Sequence, residues 1–154
     1  MPRLEIASLR ELKERVGQEV AVSDWLEMTQ ERVNLFAQAT GDHQWIHVDP
    51  VRAQRESPFG AAVAHGFLTL SLLSKFLGES IAFTSARMGV NYGLNRVRFT
   101  APVPVGARIR AHLRLREVEA LEGSGVQLTW DVTLEREGSG KPCLVAEWLT
   151  RRYE

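Results

Sequence analysis

The sequence predicts an α+β fold in which one antiparallel sheet is covered by an unusually apolar helix. Two observations carry this. From about Val90 onward the hydrophobic period is two, over strands long enough to form a sheet with one greasy face. Ahead of them, Phe67, Leu68, Leu70, Leu72, Leu73, Phe76 and Leu77 crowd a single helical stretch and leave it almost no polar face. A helix of that kind in a globular chain needs other structure around it, and a one-faced sheet needs an apolar cover.

The elements follow in order. Ser8 to Val16 reads as a short amphipathic helix, with Ser8 as cap, Leu9, Leu12 and Val16 on one face, and Gly17 as stop. Glu19 to Trp25 is β-prone. Gln30 to Ala39 is a helix capped by Thr29, with Val33, Phe36 and Ala37 on one face and Gly41 where a left-handed C-cap is expected. The chain must turn there, which leaves Asp42 to His47 on an irregular segment. Asp49-Pro50 then offers an N-cap with proline at the first helical position, so Val51 to Glu56 forms one or two turns. Ser57-Pro58-Phe59-Gly60 is a break, and the apolar helix runs from His65 to about Gly78.

The strands come last. Val97 and Phe99 alternate with Arg96 and Arg98; Ile109, Ala111, Leu113 and Leu115 alternate with polar residues from Arg108 to Arg116. Val126, Leu128, Trp130, Val132 and Leu134 form a third strand, and Cys143 to Arg151 a fourth with looser alternation. Gly123-Ser124-Gly125 and Gly138-Ser139-Gly140 are the hairpin turns. A twisted antiparallel sheet curled round one buried helix is the hotdog fold. The 154 residues make one such domain, without internal repeat or linker. An open sheet edge invites pairing with a second copy, so a homodimer is expected.

Composition narrows the function. Nineteen basic residues balance nineteen acidic ones, so no net field favours nucleic acid or an anionic membrane. The arginines at 108, 110, 114 and 116 face Asp131 and Glu135 on the next strand and read as a cross-strand paired, solvated row. One or two of them, or Arg87, Arg96 and Arg98, are alternatively placed to hold phosphates. A lone cysteine, Cys143, excludes an internal disulfide and reads as core. The N-terminus lacks a signal-peptide core, and Phe67 to Leu77 is too short to span a bilayer and contains Lys75, so the expected location is the cytoplasm. There is no phosphate-binding loop, dinucleotide glycine pattern or nucleophile elbow, which disfavours ATP, NAD and serine-hydrolase chemistry.

The residues that can carry chemistry lie at 41–47 and 64–66. Asp42 and His47 are a natural acid–base pair: a carboxylate and an imidazole on one side of a substrate can take a proton from water and deliver one to carbon. The plainer reading has Asp42 satisfying turn amides and His47 bonding locally. Gly66 opens the apolar helix, where backbone N–H groups have no helical partners and a glycine admits a ligand closely, a place to hold a carbonyl oxygen gaining charge. Alternatively it only eases packing. His65 reads as a helix-cap or packing residue, and His112 as solvated. His43 and His47 with Asp42 or His65 can be read as metal ligands, but an H-x3-H pair needs a helix to converge, and none is expected there; no metal is assigned.

Ala39-Thr40-Gly41-Asp42-His43-Gln44-Trp45-Ile46-His47, Pro58-Phe59-Gly60 and Ala64-His65-Gly66-Phe67-Leu68-Thr69 resemble the MaoC-like dehydratases, the (R)-specific enoyl-CoA hydratases. Asn91 to Phe99 and Ala101 to Gly106 extend the likeness, nearest to the branch containing the nodulation protein NodN. The resemblance implies a hotdog homodimer that adds water across the double bond of a trans-2-enoyl-CoA, giving an (R)-3-hydroxyacyl-CoA, with the CoA thioester as substrate and no cofactor. It implies that Asp42 and His47 bind the water and share the acid and base roles, that the Gly66 N–H binds the thioester carbonyl, and that Gln44 and His65 help position substrate. The family usually has asparagine in place of Gln44 and proline in place of Trp45, two departures inside the motif. The same scaffold also serves acyl-CoA thioesterases and non-catalytic acyl-thioester binders.

Overall fold

The computed structural model describes residues 2–154. In chain order the elements are β1 (Leu4–Ile6), a 3-10 segment (Leu9–Arg15), β2 (Glu19–Val22), β3 (Leu26–Glu27), α1 (Gln30–Thr40), α2 (Trp45–Val48) and α3 (Pro50–Glu56). They continue as α4 (Gly66–Ser71), α5 (Leu73–Ser80), β4 (Ile81–Phe83), β5 (Met88–Arg98), β6 (Arg108–Ala120), β7 (Gly125–Arg136) and β8 (Leu144–Tyr153). The main sheet is antiparallel in the order β2-β6-β7-β8-β5, with β3 also on β6, while β1 and β4 form a small parallel pair. This is the α+β hotdog arrangement, with the α4–α5 pair against the greasy face of the sheet.

The period-two pattern sets that face. Ile109, Ala111, Leu113 and Leu115 of β6 are fully buried, as are Leu128, Trp130 and Leu134 of β7. On β8 the alternation is cleaner than the sequence suggests: Leu144, Ala146, Trp148 and Thr150 all point inward. Thr150 is tolerated there because its Oγ1 accepts from Trp130 Nε1 at 3.1 Å, which satisfies a buried indole N–H. The polar face is cross-strand paired, with Arg110 on Glu135 at 2.7 Å and Arg116 reaching Asp131 at 3.3 Å. His112 belongs to this row, bridging Glu19 and Glu135 instead of standing free in solvent.

Local signals behave as their chemistry requires. Ser8 makes a full capping box with Glu11, although the segment it starts is 3-10 rather than α. Thr29 caps α1 by accepting from the Arg32 N–H, and Asp49 caps α3. Gly41 ends α1 at φ 81°, with its N–H on the Ala37 carbonyl at 2.8 Å.

Three further expectations are corrected. The apolar helix is not one unbroken rod: Leu72, at φ −72° and ψ −10°, divides it into α4 and α5. Nor is it enclosed on every side. Leu68, Leu72, Leu73, Phe76 and Leu77 are buried on the sheet, whereas Ser71, Ser74 and Lys75 face out and Phe67 is 68% exposed. The stretch from Asp42 to His47 is not wholly irregular, because Trp45–Val48 closes one helical turn in which the Gln44 carbonyl accepts from the His47 and Val48 N–H groups. Among the described residues no helix is long and apolar enough to cross a membrane.

Candidate active site

Three chain segments converge on one cleft. Gly41 turns the chain off α1, so Asp42 begins a bend that ends in α2 and carries His47. Gln30 at the start of α1 anchors α2 by donating from Nε2 to the His47 carbonyl at 2.8 Å. The strand-like residues 62–64 run alongside: the Val63 N–H donates to the Ile46 carbonyl and the Ala64 N–H to that of Val103. His65 and Gly66 then open α4. The cleft at their meeting point has a volume of about 360 Å³, and its lining includes His47, Gly66, Thr69, Phe99, Val103 and Cys143.

The hydrogen bonds settle the state of the two imidazoles. A carbonyl only accepts, so the 2.6 Å contact of His47 Nδ1 with the Val63 oxygen places the proton on Nδ1 and leaves Nε2 with a bare lone pair. Burial is the largest influence on this ring and pulls its pKa below the usual imidazole value; His65 acts in the same direction, while the Val63 bond and Asp42 oppose it. An uncharged imidazole with a free Nε2 is a general base at neutral pH. By the same logic His65 donates from Nε2 to the Asp42 main-chain carbonyl at 3.0 Å, and its Nδ1 has no hydrogen-bond partner among the described residues.

The Asp42 side chain is exposed, and its Oδ1 accepts from the Gln44 N–H at 3.3 Å, so the local-turn bond and the proximity to His47 coexist. Asp42, His47 and His65 each bring one ligating atom within 4.8 Å of the others. That invites a metal reading, which the ring geometry opposes: the His47 and His65 rings stack at 3.8 Å with 23° between their planes. In-plane lone pairs on two nearly parallel rings point side by side and do not meet at coordination distance. His43, the other residue of the H-x3-H pair, is exposed and lies outside the cluster.

The Gly66 N–H makes no hydrogen bond to another part of the chain among the described residues, as expected for a first-turn amide. Phe99 explains the glycine sterically. A Cβ on Gly66 would sit 2.9 Å from the Phe99 ring, so only the bare α-carbon lets β5 and its following residue close over the head of α4. Phe99 also meets Phe67 edge-on at 5.8 Å.

Residues 11–135 match the MaoC like domain family. The chain belongs to the MaoC-like family. It is 52% identical over 144 residues to 3-hydroxyacyl-thioester dehydratase Z of Mycobacterium tuberculosis (strain ATCC 25618 / H37Rv), covering 94% of this chain and 95% of that protein. It is 46% identical over 144 residues to Nodulation protein N of Rhizobium leguminosarum bv. viciae, covering 93% of this chain and 89% of that one. Among solved structures, the (R)-hydratase from A. caviae involved in PHA biosynthesis superposes with a TM-score of 0.69 at 24% identity, over 88% of this chain and 94% of that one.

For a MaoC-like chain, four of the five expected site residues gather: Asp42, His47 and His65 lie against one another and Gly66 follows His65 directly, with His47 and Gly66 lining the cleft itself. Gln44 does so only through its main chain, since its exposed side chain makes no hydrogen bond among the described residues and does not line the cleft. Trp45 takes the Arg52 guanidinium over its ring at 4.2 Å, away from the cleft. Two participants escape sequence reading. The Val63 carbonyl that sets the His47 tautomer is a main-chain atom with no sequence signal. Cys143 reads correctly as buried, but nothing in its strand shows that it also forms a cleft wall.

Proposed function

We propose that the protein is an (R)-specific enoyl-thioester hydratase, adding water reversibly to a trans-2-enoyl-CoA to give an (R)-3-hydroxyacyl-CoA. The observation that carries this is a buried, uncharged His47 imidazole that lines the same cleft as Gly66 and has the Asp42 carboxylate within 4.8 Å. The named activity of the mycobacterial relative, 3-hydroxyacyl-thioester dehydration, is the same reaction in reverse.

The chemistry needs three things at once. Attack at C3 pushes charge onto the thioester oxygen, and the Gly66 N–H, without a partner among the described residues at the head of α4, is the donor assigned to it. His47 Nε2 takes a proton from water as the C3–O bond forms. That proton passes through Asp42 to C2, so one O–H bond breaks, one C–H bond forms, both side chains end as they began, and the thioester stays intact. The addition is redox-neutral, and this reading assigns no cofactor and no metal. Cys143, a buried free thiol, suits a reducing compartment, and the cytoplasm is the proposed location.

The active form proposed is a homodimer. At the open edge of the sheet, β5 exposes Met88, Val90, Tyr92 and Leu94, an apolar strand that a second copy would cover.

The test is to incubate the protein with enoyl-CoAs of several chain lengths, following loss of enoyl absorbance, free-thiol release and product configuration. Hydration to the (R)-alcohol without thiol release supports the proposal. Thiol release instead makes it a thioesterase, and tight binding without turnover makes it an acyl-thioester binder. Light scattering at micromolar protein tests the dimer; a stable monomer overturns it.

A further inference from the structure

His65 is 3% exposed, and neither capping nor packing accounts for it. It occupies the N-cap position of α4 but makes no capping bond, where serine, threonine or aspartate would. Its ring is wedged between Phe36, at 5.0 Å, and His47, at 3.8 Å. Phenylalanine would fill that slot as well, and without a penalty that the imidazole carries: Nδ1 is buried and has no hydrogen-bond partner. What the imidazole adds over a plain ring is the Nε2–H, and that hydrogen goes to the Asp42 main-chain carbonyl.

We propose that His65 is a positioning residue that locks the two reacting side chains into one frame: its Nε2–H holds the bend carrying Asp42, and its face holds the plane of the His47 ring. Because His65 immediately precedes Gly66, the same residue ties the acid and the base to the amide that receives the thioester oxygen. The inference rests on the hydratase reading of Asp42 and His47. The titratable groups acting on His47 are Asp42 from the bend and His65 from the head of α4; Cys143 lines the same cleft, with its thiol donating to the Leu134 carbonyl at 3.4 Å.

Two variants of the full chain separate the donor from the ring. His65→Phe keeps the wedge and removes the donor; His65→Gln restores a donor within reach of the Asp42 carbonyl and removes the stack. With crotonyl-CoA, His65→Phe is expected to fold normally, with kcat down about tenfold or more and KM little changed, since displacing a reacting group by about an ångström is enough for such a loss. His65→Gln recovers part of kcat. Its acid limb moves to higher pH, because His47 loses the neighbour that disfavours its protonation.

Long-range nitrogen-15 spectra of the histidine rings, which need no substrate, give a readout independent of turnover. They should show His65 carrying a proton at Nε2, and a His47 titration that changes in both variants. If the wild type hydrates no enoyl-CoA, the functional proposal falls and the spectra still judge the frame. Wild-type kcat in His65→Phe, a His65→Gln no better than His65→Phe, kcat and thermal stability falling together, or His65 without a proton at Nε2 would each overturn it.

Discussion

The sharpest consequence of the site is that Asp42 and His47 should fail together. His47→Gln leaves an amide able to donate to the Val63 carbonyl, which His47 Nδ1 holds at 2.6 Å, so α2 stays docked. What disappears is a basic nitrogen. Asp42→Asn keeps an oxygen for the Gln44 N–H but loses the group that gives a proton to C2. Each single change should lower kcat by roughly 10²–10⁴, or about 2.7–5.4 kcal/mol of barrier at 1.36 kcal/mol per decade. A carboxylate oxygen of Asp42 and a ring nitrogen of His47 lie within 4.8 Å of each other, close enough to serve one water, so the double variant should fall no further than the worse single one. The assay is crotonyl-CoA hydration, with circular dichroism to show that each variant is folded. Near-wild-type turnover in both singles, or a double variant slowed by the full product of the two factors, would refute a coupled acid–base pair.

Other expectations follow from the same geometry. Because burial keeps the His47 pKa below the usual imidazole value of about 6.5, kcat/KM should be flat near neutrality and fall with a midpoint below that pH. Stability should follow the same direction: the unfolded chain takes up this proton first, so the contribution of His47 is complete above about pH 6.5 and declines as pH falls. Gly41→Ala forces a side chain onto φ 81°, at about 1–2 kcal/mol, and should lower Tm by roughly 2–8 °C in a thermal melt. Gly66→Ala should push Phe99 off the head of α4 and slow turnover, and adding Phe99→Ala should restore part of the rate; no recovery would show that the ring is not the obstacle. The Cys143 thiol is pushed up to about 11 by burial, so iodoacetamide at pH 7.5 should neither modify the folded protein quickly nor reduce its activity. Mass spectrometry with and without denaturant reads this directly.

Much of the fold was legible in the chain because it rests on local, periodic signals. Alternation along β6 and β7, the Thr29 cap, the Gly41 stop and Asp49-Pro50 each act within a few residues, and each appears in place. The motif residues were legible too, since Asp42, His47 and Gly66 are side-chain and glycine choices that a sequence records. Tertiary structure decided the rest. Whether α4 and α5 present an open face depends on what the sheet covers, and seven leucines and phenylalanines in one helical stretch do not say that Phe67 lies outside. The tautomer of His47 depends on a carbonyl 16 residues away, and any residue there would supply the same atom. His65 shows the limit best: a histidine beside a glycine states only that a ring is present, whereas its stacking on His47 and its bond to Asp42 arise from three segments meeting in space.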